Sequence, residues 1–223
     1  MPRFGVMVRF AIGILCAGCT SDVPPPTGAE LARLKSEAVG QRLSDAKDDF
    51  YAAVAGDREA LGPAVQILDS LGGSDSGNPE VIAYLGACKL LQASHTAFFV
   101  EKAALGRDGL ALEDRAVAEA PDNLEVRFLR GVTNYQLPKF LNRFALAAQD
   151  LAAVARVAEQ AALDGRLDPR AASADLDYHG KVLEDSYNAA GAIAAWKAAV
   201  RLDPTGPGGR DALKHLAEHH VTA

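Results

Sequence analysis

Three groups of residues have types and spacings suited to chemistry. Cys16 and Cys19 form a C-x-x-C, the spacing of a redox dithiol or of half a zinc site. A redox dithiol opens a helix inside a βαβ unit, where the helix N-terminus lowers the thiol pKa, and no strand-like run precedes Cys16. Zinc needs a second ligand pair, and Cys88, the remaining cysteine, stands far away and alone. At the other end of the chain, His215-Leu-Ala-Glu218-His219 sets two imidazoles one helical turn apart beside a carboxylate, the H-x-x-E-H order of a zinc-dependent hydrolase. Such a centre needs a third protein ligand and a held water. The four residues after His219 offer no acidic ligand, and the adjacent His220 points instead to cations placed near a helix end. The third group is Arg127, Arg130 and Asn134, at i, i+3 and i+7 of one helix. Guanidinium forks suit a carboxylate, such as a peptide C-terminus or an acidic loop. The competing reading pairs them at home with Glu125 and Asp150. No phosphate-binding G-x-x-x-x-G-K-[ST], no nucleophile elbow and no carboxylate pair in an apolar setting occurs. The chain therefore reads as non-catalytic, with no cofactor and no metal.

The elements around the first cysteine pair explain it differently. Arg3 and Arg9 precede the compact apolar run Phe10–Leu15, and small residues follow, the layout of an export signal too short to span a bilayer. Ala17-Gly18-Cys19 resembles the lipobox of a bacterial lipoprotein signal, with Cys16 where leucine is usual and Leu15 displaced by one. The resemblance implies a signal peptide over 1–18, removed with Cys16, and a lipid on Cys19. Each buried methylene contributes about 0.8 kcal/mol, so two or more acyl chains hold where one binds reversibly. Thr20-Ser-Asp-Val-Pro-Pro-Pro-Thr-Gly28 is polar and proline-rich, so residues 19–29 read as an extended tether. In such lipoproteins Asp after the lipidated cysteine marks inner-membrane retention. Thr20 stands there, which implies the outer membrane, facing the periplasm.

Losing Arg3 and Arg9 takes the net charge from −6 to about −8. That balance excludes nucleic acid as a natural partner. Alanine dominates the apolar half of the composition and aromatics make up 6%, which predicts helices packed closely through small side chains. Cys88 has no partner for an intrachain disulfide, and is read as a small buried apolar residue.

Turn-like segments recur at Gly77-Asn-Pro79, Ala120-Pro-Asp-Asn123, Leu167-Asp-Pro169 and Leu202-Asp-Pro204. Their prolines, at 79, 121, 169 and 204, lie 42, 48 and 35 residues apart, a spacing that points to helical-hairpin repeats. The clearest unit runs from Ala174 to Pro204. Leu176, Gly180, Leu183 and Tyr187 fall on one helix face, and Ala189, Ala192, Ile193, Trp196, Ala199 and Val200 on another. Gly180 and Ala192 are small where two helices would cross, and Trp196 is the knob beside them. This unit resembles the tetratricopeptide repeat, with Gly180, Ala192, Trp196, Ala199 and Pro204 at that family's spacing, although His179 and Leu183 replace its Leu and Tyr. Gly86 and Gly131 open looser units. An N-terminal hairpin is expected with Leu31, Leu34, Ala38, Leu43, Ala46, Phe50 and Val54 on its first helix, and Ala64, Leu68 and Leu71 on its second.

The resemblance covers residues 30–220. It implies an all-α fold, a right-handed superhelix of about four stacked hairpins, with a terminal helix over Gly208–His220. A single hairpin cannot bury its apolar face, so neighbours stack and leave a concave wall. Two insertions, Ser94–Val100 and Leu137–Phe144, stand between the helices of successive units, and Phe98, Phe99, Phe140 and Phe144 are candidates for lining a shared pocket. The function expected is a lipid-anchored scaffold that binds a protein or peptide partner in the cell envelope. The alternatives are a small-ligand-binding envelope lipoprotein, using a pocket under the aromatic insertions, and, third, a zinc-dependent hydrolase through His215, Glu218 and His219.

Overall fold

The computed structural model describes residues 27–222. The expected signal over 1–18, with Cys16, and most of the tether, with Cys19 and Thr20, lie outside the described residues. Among the described residues there are nine α-helices and no strand: α1 (Gly28–Val54), α2 (Leu61–Ser70), α3 (Pro79–His95), α4 (Phe99–Glu119), α5 (Leu124–Gln136), α6 (Phe144–Leu163), α7 (Pro169–Asp185), α8 (Ala189–Leu202) and α9 (Pro207–Glu218). The fold is all-α, built of tetratricopeptide-like helix-turn-helix hairpins. None of these helices is long and apolar enough to cross a membrane.

The chain divides into two units, 1–37 and 38–223. In the first, α1 starts at Gly28, two residues before the repeat domain was expected to begin. A reciprocal cap holds this start: the Thr27 hydroxyl accepts from the Glu30 N–H at 3.2 Å, and Glu30 accepts from the Thr27 N–H at 2.7 Å.

In the second unit the helix starts follow the turn signals. Asn78, Asn123, Asp168 and Asn188 each accept a backbone N–H of the helix they precede, and Pro79 and Pro169 occupy its first turn. Helices adjacent in sequence pack as hairpins, α3 on α4, α5 on α6 and α7 on α8, and α9 lies against α7 and α8. In the first hairpin Leu43, Ala46 and Phe50 share a core with Leu61, Ala64 and Leu68. Leu34 and Val54, expected on that face, are exposed instead. Leu34 belongs to the first unit, and Val54 is the last residue of α1, where the chain turns away.

The first helices of successive hairpins lie side by side, and near-constant residue offsets show α1, α3 and α5 running parallel. Lys47 bonds Glu80 and Tyr51 bonds Tyr84, both 33 residues apart. Between α3 and α5, Tyr84 bonds Glu125 and Asn123 bonds Glu80, at separations of 41 and 43. Between α5 and α7, Gln136 bonds Tyr178 at 42.

Small residues set how closely each hairpin closes. A Cβ on Gly86 would stand 2.8 Å from the Gly109 carbonyl oxygen, and one on Gly109 would stand 2.7 Å from that of Gly86, so α3 and α4 cross backbone to backbone. A Cβ on Gly180 would meet Trp196 Cδ1 at 2.6 Å, and one on Gly131 would meet Leu151 Cγ at 2.8 Å. Trp196 is fully buried beside Ala192 and Ala199, with its indole N–H on the Asp177 carbonyl at 3.3 Å. Burial of an indole of about 200 Å² stabilises by about 5 kcal/mol.

The two insertions resolve differently. α3 continues to His95 and α4 begins at Phe99, so the first expected loop is largely taken up as extra turns of both helices. The second remains a connection, because Pro138 cannot continue α5, and it holds a short 3-10 turn (Lys139–Leu141) followed by Asn142 at φ 55°.

Candidate functional site

Three polar arrangements stand out from the alanine-rich seams. The first contains the arginine stripe. α5 presents Arg127 and Arg130 towards α6, where Asp150 is fully buried. Arg127 Nη1 lies 2.9 Å from Asp150 Oδ1, Arg130 Nε lies 2.7 Å from Oδ2, and Arg130 Nη2 lies 3.0 Å from Oδ1. Arg130 also reaches Asp114 of α4 at 3.2 Å. Arg143 grips the same Asp114 at 2.7 and 2.9 Å, and donates to Asn134 Oδ1 at 2.8 Å. This corrects the reading of Arg127, Arg130 and Asn134 as a carboxylate-binding stripe. Asp150 already supplies the carboxylate, and Asn134 is buried. The structure brings all three together as a brace between helices. Glu125, the other home partner considered, points elsewhere.

Beside that brace lies Glu113 of α4, fully buried. The Thr133 hydroxyl donates to its Oε1 at 2.9 Å, while Oε2 has no partner. Burial pushes its carboxyl up to about 8, with the Asp114 charge adding to the rise.

The second arrangement lies along the parallel first helices. Lys47 of α1 donates to Glu80 of α3 at 2.8 Å and to Glu125 of α5 at 2.9 Å. Tyr84 donates to Glu125 at 2.7 Å and shares a 3.0 Å contact with the Tyr51 hydroxyl, and Asn123 donates to Glu80 at 3.0 Å. One turn beyond Glu125 on α5 is Phe128, and one turn beyond Asp175 on α7 is Tyr178. The two rings meet edge to face at 5.9 Å. Asp175 is 7% exposed and makes no hydrogen bond or ion pair among the described residues. Burial and the nearby Glu125 charge push its carboxyl up to about 7. Sequence reasoning missed this row. The usable signal was an acid-x-x-aromatic step in two first helices, Glu125-x-x-Phe128 and Asp175-x-x-Tyr178.

The third arrangement is terminal. His215 stacks on Trp196 with ring centres 4.7 Å apart and planes 13° off parallel. His219 Nε2 lies 2.7 Å from Glu184 of α7. These contacts correct the zinc reading: the imidazoles cover the Trp196 ring and pin α9 to α7. Among the described residues no group of three metal-ligating side chains forms.

The phenylalanines do not close a pocket. Phe98, Phe99 and Phe140 are 75%, 82% and 79% exposed, on turns that the parallel helices bring to one edge. Phe144 is half-buried at 6.4 Å from the Tyr135 ring. Two open clefts lie elsewhere. One of about 460 Å³ is lined by Leu176, His179, Leu183 and alanines of α6 and α8. The other, of about 390 Å³, lies by Lys89, Asp108 and Arg115. Cys88 is fully buried, and burial pushes its thiol up to about 12.

No family model matches the chain and no curated protein matches it. Among solved structures, the chain is similar to MamA AMB-1, at 20% identity over 81% of this chain and 88% of that one, with a TM-score of 0.49. It is likewise similar to MamA MSR-1, at 22% identity over 81% and 89%, with a TM-score of 0.45.

Proposed function

We propose that this protein is a non-catalytic, lipid-anchored scaffold of the bacterial cell envelope that holds a protein or peptide partner along the parallel first helices of its hairpins. The observation that carries the reading is the row from Lys47 through Tyr84 and Glu125 to Tyr178. It gathers charged and aromatic side chains from four consecutive hairpins onto one side, where each neighbour extends a continuous surface. The other candidates for chemistry have structural duties, the arginines within a brace and the histidines over Trp196. The lipid on Cys19 rests on the Ala17-Gly18-Cys19 pattern, and the outer-membrane location and periplasmic orientation rest on Thr20 in the place after it. Anchoring would confine the array near a membrane and raise the effective concentration of its partner there.

The test is fractionation with cross-linking in intact cells. The native protein is expected in the membrane fraction, cross-linked to a protein partner. Cys19→Ser should move it to the soluble fraction. Membrane association unchanged by that substitution would refute the anchor, and an absence of any protein cross-link would refute the scaffold.

A further inference from the structure

The surface just described has an uneven charge balance. Glu80, Glu125 and Asp175 line it, and Lys47 is fully engaged by the first two. The other cation close by, Lys181, bonds Asp177 at 2.6 Å and lies over the Tyr178 ring at 4.5 Å. Asp175 is thus a residue only 7% exposed, whose carboxyl has no donor and no counter-ion among the described residues. Burying such a group is costly unless something pairs it. Next to it, α5 and α7 each repeat the same step, an acid and then a ring one turn on, and the two rings touch. Carboxylates beside aromatic edges and faces are the chemistry that receives an ammonium or guanidinium group.

We propose that Asp175 and Glu125, walled by Phe128 and Tyr178, form a receptor for one basic side chain, lysine or arginine, of the protein partner. This inference rests on the scaffold reading and deepens it by giving the partner's charge. It also reverses the sign expected from the arginine stripe: the partner presents a basic segment to this surface.

The test uses the chain without its signal and lipid, from residue 20 onward, with fluorescence anisotropy of a short labelled peptide alternating lysine and alanine and of its glutamate counterpart. The lysine peptide should bind and the glutamate peptide should not. Asp175→Asn should weaken the lysine peptide by about tenfold, as expected for loss of one charge-assisted contact, and Glu125→Gln should weaken it in the same direction. Asp122→Asn, the same charge change at an exposed position, should leave it unchanged. A lysine peptide held equally well by native protein and Asp175→Asn, with both folded by circular dichroism, overturns the inference. So does displacement of the peptide by millimolar cadaverine or calcium with equal potency, which would assign the site to a free cation. The scaffold reading is judged separately: an envelope cross-link that survives Asp175→Asn keeps the scaffold and removes this receptor.

Discussion

Replacing Glu113 by Gln should change how stability depends on pH more than it changes stability at any acid pH. Glu113 is fully buried, takes one hydrogen bond from Thr133 and leaves Oε2 without a partner. Its folded value of about 8 lies above the ordinary 4.5, so the folded chain holds this proton more tightly than the unfolded chain. The associated stability is complete below the unfolded value and is lost as pH rises through the folded one. At about 1.4 kcal/mol per pH unit, the loss between pH 5 and pH 8 comes to about 4 kcal/mol. Glu113→Gln keeps an oxygen for the Thr133 hydroxyl and removes the titration. Asp175 titrates in both proteins, so it cancels in their difference. Urea unfolding followed by circular dichroism from pH 5 to pH 8 should find the two within about 1 kcal/mol at pH 5. The variant should be the more stable by several kcal/mol at pH 8. A difference that stays flat across this range would refute the reasoning, since it would mean that Glu113 is already solvated or ion-paired when folded.

Two further substitutions test the packing and the brace. Gly86→Ala drives a methyl against a backbone oxygen, while Gly131→Ala meets a leucine side chain that can shift. The first should cost about 2–3 kcal/mol in thermal unfolding and the second under about 1, once the helix-favouring effect of alanine is included. Asp150→Ala strands two guanidinium groups in a buried setting and should lower the urea midpoint by about 3–5 kcal/mol equivalent. Glu159→Ala, which removes an exposed partner of Arg201, should cost under about 1 kcal/mol.

The parts of the fold that could be read from sequence are those encoded within one hairpin. Gly180, Ala192 and Trp196 report a helix crossing because the residues that meet lie a few turns apart along the chain. Asn78-Pro79 and Asp168-Pro169 likewise mark helix starts through local capping chemistry. The extra turns of α3 and α4 were hidden, because Thr96–Val100 carries none of the small-residue spacing that signals helix pairing. The sites were harder to read. Arg127 and Arg130 have the same pattern whether they face a ligand or Asp150, and only the seating of α6 decides between the two. Asp175 and Glu125 are 50 positions apart in sequence, and their relation depends on α5 and α7 lying side by side. Glu113 carried no local signal, since a glutamate mid-helix is ordinarily solvated.

The sealed sulfur of Cys88 has a chemical consequence for ageing of the molecule. Cys88 is the free cysteine among the described residues, and while the hairpins stay closed it offers oxidants neither access nor thiolate. A molecule that opens transiently exposes it, and conversion to a sulfinic acid at that moment puts a charge where α3 must be buried. Such a molecule would not reclose, so each opening in the presence of an oxidant would carry a risk of permanent loss of the fold.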